Sequence, residues 1–215
     1  MDFLTKYNIN INNQDLLLTA LTHSSYAYEH HCENYERLEF LGDAVLQVIM
    51  SDYLYNNTHI AEGEMSKERA NFVCEEALAC YVKQVGYDKF IRVGNGLKNQ
   101  VNDTIIADTF ESVLAVIYLE CGLATCKDYI KQVVIPYVEK NLDFFKDYKT
   151  RLQELVQTDK KSLEYVLVES NGEAHNMQFK VNVIVDGIVL GTGIGKSKKE
   201  AEQAAAHSAL DKCAK

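Results

Sequence analysis

With 215 residues, 47% of them hydrophobic, the chain is long enough for one or two domains with real cores. It has no run of roughly 18 uncharged apolar residues, so no membrane helix is expected, and its opening MDFLTKYNIN lacks the basic and apolar regions of a secretion signal. The net charge of −9 argues against a nucleic-acid partner only until it is divided: residues from 146 onward carry eleven Lys/Arg against ten Asp/Glu, and those before carry eleven against twenty-one.

Residues 13–28, NQDLLLTALTHSSYAY, have the spacing of one helix with Leu16, Leu17, Ala20 and Leu21 inward and His23 as a hydrogen-bonded structural residue. The polar loop EHHCEN leads into YERLEFLGDAVL, residues 35–46. Here Glu36, Glu39 and Asp43 fall at i, i+3 and i+7, one helical stripe that runs on to Leu46 and Met50. Acids on an inward stripe repel one another and are costly to bury, so this spacing expects a cation. An ordinary network with Arg37 or a distant lysine is the alternative.

Farther along, AEGEMSKERANFV (61–73) suggests a turn at Gly63 and a helix opening at Ser66, with Arg69 inside it. Residues 75–85 form a helix that stops at Gly86, and GNGLKNQVN (94–102) is a connecting loop, with a phosphate cradle as the less favoured option. A second acid helix follows in IIADTFESVLAVIYLE (105–120), where Asp108 and Glu111 lie one turn apart on one face. Glu39, Asp43, Asp108 and Glu111 can then pool oxygen ligands for Mg²⁺ or Mn²⁺ rather than zinc. An amphipathic helix over about 124–145 is kinked or divided by Pro136, the only proline. No strand pattern precedes residue 146, which makes the first domain, 1–145, all-α.

From 147 to 215 the pattern changes. A short helix over 148–157 is followed by period-two segments at 162–169, 177–185 and 188–195, the last two joined by Asp186-Gly187, a two-residue hairpin signal. A last helix opens at Ser197 with Glu200 at the capping-box position, and Ala201, Ala204, Ala205 and Ser208 give it a small-residue face. The order is α-β-β-β-α, a small α+β domain. Lys198 and Lys199 occupy the first turn of that helix, where the macrodipole disfavours cations; a phosphate partner would offset this, and solvation alone is the plainer option. Thr150, Gln153 and Gln157 form an uncharged hydrogen-bonding stripe suited to the wide minor groove of A-form RNA, and His175, between the first two strands, could reach a second groove.

Taken together, YERLEFLGDAVL, IIADTFESVLAVIY, ALTHSSY (20–26) and EGEMSKERA (62–70) resemble the signature blocks of bacterial ribonuclease III, and DYKTRLQELVQ with GKSKKEAEQAAA resembles the double-stranded-RNA-binding domain that follows in that family. The resemblance covers essentially the whole chain and is closest to the minimal two-domain type. It implies a Mg²⁺-dependent endoribonuclease of double-stranded RNA, leaving 5′-phosphates and short 3′ overhangs in rRNA and mRNA precursor processing. It further implies Glu39, Asp108 and Glu111 as metal ligands, with Asp43 and Glu111 most critical to catalysis and Glu36 touching RNA or ordering the cluster. Phe40 matches an aromatic plug at a homodimer interface. The expected partners are duplex RNA and a second copy of the chain, with no membrane and no small-molecule cofactor. Six cysteines without a C-x-x-C pair are consistent with reduced thiols and a cytoplasmic location. Departures from the family pattern are Tyr35 for the usual Asn, Ser24 for a frequent Arg and Glu173 for a frequent Pro. Two other functions compete: an RNA-binding protein whose helical part only dimerises, and, more distantly, a prenyl-diphosphate enzyme.

Overall fold

The structure, a computed structural model, describes residues 3–98, 100–144, 148–158, 161–171 and 177–213. The chain divides into two compact units, Met1–Phe145 and Lys146–Lys215.

In the first unit the helices are α1 (Gln14–Ala20), α2 (Ser24–His30), α3 (Glu36–Asn57), α4 (Glu62–Val73), α5 (Glu75–Val85), α6 (Asp103–Val133) and α7 (Ile135–Glu139). Helix α6 is the centre of the core: Phe110, Val113, Leu114, Ala115, Val116 and Ile117 are inaccessible to solvent. Leu46 and Met50 of α3 and Tyr81 and Val82 of α5 are equally buried around it. By length and composition α6 could cross a bilayer. It carries Asp108 and Glu111, however, and serves as the core helix of this unit. At Gly122 the backbone takes φ 80° and ψ 173°, a left-handed φ that breaks the helical path between the acid-bearing half and the half carrying Tyr129 and Ile130.

Three sequence expectations are corrected in this unit. The single helix over 13–28 is two helices. Between them Thr22 forms a parallel bridge with Arg92, and the His23 ring nitrogen Nδ1 accepts the Ser25 N–H at 3.1 Å, capping α2. Helix α4 opens before Gly63 rather than after it. Glu62 and Glu64 fall in its first turn, where acids suit the dipole, and the Glu64 carboxylate accepts the Ala61 N–H at 3.4 Å. The helix expected over 124–145 is divided beside Pro136 as expected, at Val134 with the proline in the first turn of α7, but it stops at Glu139, short of its expected end. The 94–102 connection contains a 3-10 turn, Asn95–Leu97. Its amides are already taken by an anion of the protein itself: Asn95 N and Nδ2 donate to the Glu29 carboxylate at 2.8 and 2.7 Å.

The second unit has the order α8 (Tyr148–Thr158), β1 (Leu163–Asn171), β2 (Gln178–Val185), β3 (Ile188–Gly195) and α9 (Lys198–Cys213). The strands form an antiparallel sheet in the order β1-β2-β3. Asp186 and Gly187 both have positive φ, 47° and 78°, as a two-residue turn matching the strand twist requires. Val181 and Val183 of β2 pair with Gly193 and Gly191 of β3. A Cβ at either glycine would overlap the backbone of α9. The buried face of that helix is Ala201, Ala205, Ala206 and Ala209, while Ala204 and Ser208 are half-buried. Helical rotation thus carries the contact stripe partly away from the expected set.

Candidate active site

Two features bring the acids of α3 and α6 together. Gly42, one residue before Asp43, lies directly on the backbone of Glu111, where a Cβ would overlap the Glu111 carbonyl group. Tyr35, at the N-terminal boundary of α3, reaches across to α6: its hydroxyl donates to Asp108 Oδ2 at 2.9 Å. Neither link was visible in the sequence. A glycine inside a helix, which costs stability relative to alanine, was the one available signal for the first.

Glu39, Asp108 and Glu111 are half-buried, and Asp43 and Glu36 are exposed. The expectation of three acids on a buried stripe therefore holds for Glu39 alone on α3, and only as half-burial, because the face that α3 turns to the core runs through Leu38, Gly42, Val45 and Ile49, beside the stripe of acids. Burial pushes the Glu111 carboxyl up to about 8, and the negative charges of Asp43, Glu39 and Asp108 push the same way. Glu39 is raised by burial and then by Asp108, Glu36 and Asp43. Asp108 is also raised by burial, against which the Tyr35 hydrogen bond and nearby His23 act. The four acids from two distant segments thus share one electrostatic neighbourhood. Among the described residues none of the four forms an ion pair.

As donors, four carboxylates suit a hard divalent cation such as Mg²⁺ or Mn²⁺. Their present placement is looser than a coordination sphere. Among the described residues, no three of the His, Cys, Asp and Glu side chains stand close enough to hold a metal ion. The expected four-ligand pocket is thus present as an electrostatic neighbourhood and not as a closed cage.

Around this centre, Asp43 Oδ1 accepts from Gln47 Nε2 at 3.2 Å. Phe40, on the same helix, is 82% exposed, far outside the usual environment of a phenylalanine. In the second unit Thr150, Gln153 and Gln157 are exposed along α8, and Lys198 and Lys199 are exposed in the first turn of α9. The α9 cap differs slightly from a simple capping box: Ser197 Oγ accepts from Glu200 N at 3.2 Å, while the Glu200 carboxylate accepts from Lys196 N at 2.7 Å. Glu202 of α9 pairs with Lys149 of α8 at 2.5 Å. His175 lies outside the described residues.

Comparison with known proteins bears on both units. A family model described as ribonuclease-III-like matches residues 13–138, and a double-stranded RNA binding motif matches residues 148–213. The chain is 47% identical over 214 residues to Ribonuclease 3 of Streptococcus thermophilus, an alignment covering 95% of this chain and 93% of that protein. To Ribonuclease 3 of onion yellows phytoplasma it is 43% identical over 212 residues, covering 97% and 89%. Among solved structures, the nuclease domain of ribonuclease III from Campylobacter jejuni matches with a TM-score of 0.57 and 31% identity, over 62% of this chain and 94% of that one; that structure concerns a region involved in dimer formation.

Proposed function

Because this chain belongs to the ribonuclease III family, we propose that it is a Mg²⁺-dependent endoribonuclease that cuts double-stranded RNA, leaving 5′-phosphates and short 3′ overhangs, in the processing of rRNA and mRNA precursors. The observation that carries the metal dependence is the mutual charge of Glu39, Asp43, Asp108 and Glu111 with no cation paired to any of them among the described residues. Glu39, Asp108 and Glu111 would hold the ion. When bound, it would neutralise phosphodiester charge and ease ionisation of the attacking water.

The chain's own groups do the rest. Asp43, exposed and hydrogen-bonded by the Gln47 amide, would take a proton from an incoming water. Glu111, in its ionised form, supplies the most buried negative charge of the set. Glu36, at the exposed start of α3, meets the RNA. Recognition belongs to the second unit, where Thr150, Gln153, Gln157 and His175 read the minor groove and Lys198 and Lys199 hold phosphates.

A homodimer with Phe40 at its interface is part of the proposal. One carboxylate cluster cuts one strand, and a two-fold pair presents two clusters to the two strands of a duplex. Mn²⁺ would substitute for Mg²⁺, and the cytoplasm, where precursor RNA is found, is the proposed location.

Duplex RNA incubated with the protein in Mg²⁺ and in EDTA tests this. Short duplex products in the Mg²⁺ lane alone are expected. Intact RNA in both lanes alongside a gel shift would leave a binding protein whose helical unit only dimerises.

A further inference from the structure

We propose that Tyr35 is a positioning residue for the nuclease site, its hydroxyl fixing how Asp108 offers its carboxylate to a divalent cation. The proposal rests on the metal-dependent function above and adds a residue to it. Asp108 needs such a device because a carboxylate on a helix can rotate about its side-chain bonds, and its acidic neighbours can only repel it. The Tyr35 hydroxyl donates to Oδ2 at 2.9 Å, so that oxygen is held and Oδ1 is left to be shared.

What makes the tyrosine a rigid support is the frame behind it. Its side chain is buried, with the residue 3% exposed, and the His23 ring packs edge-on to it at 5.8 Å between centroids. Its backbone N–H donates to the Thr22 carbonyl at 2.9 Å. Thr22 is itself fully buried and gripped by Arg92, whose Nε donates to the threonine hydroxyl at 2.9 Å, with a second bond from Nη2 to the same oxygen. Arg92 also donates from Nη2 to Leu18 O at 3.1 Å and stacks on Tyr26. Backbone bonds His23 N to Arg92 O at 2.9 Å and Arg92 N to Leu21 O at 2.7 Å close the ring. The break between α1 and α2 thus serves a purpose: it turns Thr22 toward Arg92 and makes a ledge for the start of α3. Arg92, Thr22, Tyr35 and Asp108 form a continuous line of contacts ending at a proposed metal ligand, the kind of outer-shell support that holds ligands in place.

Tyr35→Phe in the full-length protein removes the hydroxyl alone. Mn²⁺ binding to the RNA-free protein, followed by electron paramagnetic resonance, is expected to weaken on the order of tenfold. The Mg²⁺ concentration for half-maximal cleavage should rise by a similar factor. KM for duplex RNA at saturating Mg²⁺, and duplex binding in EDTA, should stay at the wild-type level. In an Asp108→Asn background, Tyr35→Phe should have no further effect on Mn²⁺ affinity, since the hydroxyl acts through that carboxylate. Equal Mn²⁺ affinity in wild type and Tyr35→Phe, or an undiminished effect beside Asp108→Asn, would overturn the proposal. Should Tyr35→Phe lose helical circular dichroism, Tyr35→Met, which keeps bulk without a hydroxyl, goes through the same measurements. A wild-type protein that neither binds Mn²⁺ nor cleaves would overturn the proposed function itself, and this inference with it.

Discussion

Gly42 of α3 rests against the carbonyl group of Glu111 on α6, with no room between them for even a methyl group. This close approach sets how near Glu39 and Asp43 come to the acids of the other helix. Gly42→Ala must push the two helices apart, at a cost of about 1–3 kcal/mol as for other overpacked sites. Cleavage should fall far more than stability, while duplex binding by the second unit persists. Urea unfolding beside a cleavage assay measures both; normal turnover in a folded Gly42→Ala protein would show that the helix spacing is irrelevant to the chemistry.

The raised Glu111 carboxyl makes stability depend on pH in a definite direction. An unfolded glutamate ionises near 4.5, whereas Glu111 in the folded, metal-free protein ionises at about 8. Between those values the folded state keeps a proton that the unfolded chain releases, so stability falls as pH rises through that window. In EDTA, Glu111→Gln should therefore melt higher than wild type at pH 8, with the gap closing toward pH 4.5. Parallel melting curves across the range would contradict the assignment.

The same substitution should abolish Mg²⁺-dependent cleavage while leaving duplex affinity intact, since Glu111 belongs to the first unit and recognition is proposed for the second. A variant that still turns over at the wild-type rate would remove Glu111 from the ligand set.

Lys198 and Lys199 sit where the helix dipole is unfavourable to cations. If phosphates offset that cost, replacing both by Ala lowers the log–log salt dependence of duplex binding by about one unit for each phosphate that is no longer held. An unchanged slope would mean the two lysines face only solvent.

Phe40 exposes most of its ring in a single chain. Phe40→Ala should weaken self-association at least about thirtyfold, as removal of an interface anchor worth about 2 kcal/mol would. Sedimentation over a concentration series reads this directly, and a wild-type protein that is monomeric throughout would refute the dimer.

The acids were legible in the sequence because helical periodicity alone puts Glu36, Glu39 and Asp43 on one stripe and Asp108 and Glu111 on another. The strands were legible from alternation, and the hairpin from Asp186-Gly187. What periodicity does not carry is how deep a stripe lies or which residues meet across the chain. Glu36 and Asp43 stay exposed because α3 turns a neighbouring face, Leu38, Gly42, Val45 and Ile49, to the core. Tyr35 and Asp108 are 73 residues apart, and no local pattern announces their hydrogen bond. The break at Leu21–His23 was hidden because its residues suit a helix; the pairing with Arg92, far downstream, overrides that preference.

In the second unit, glycines occupy every other position of β3 where α9 presses on it. Slide that strand by a single residue and Thr192 and Ile194 would have to enter a gap that excludes even one methyl carbon. A misaligned hairpin therefore has no room beneath the helix, so the packing of α9 admits one strand alignment only.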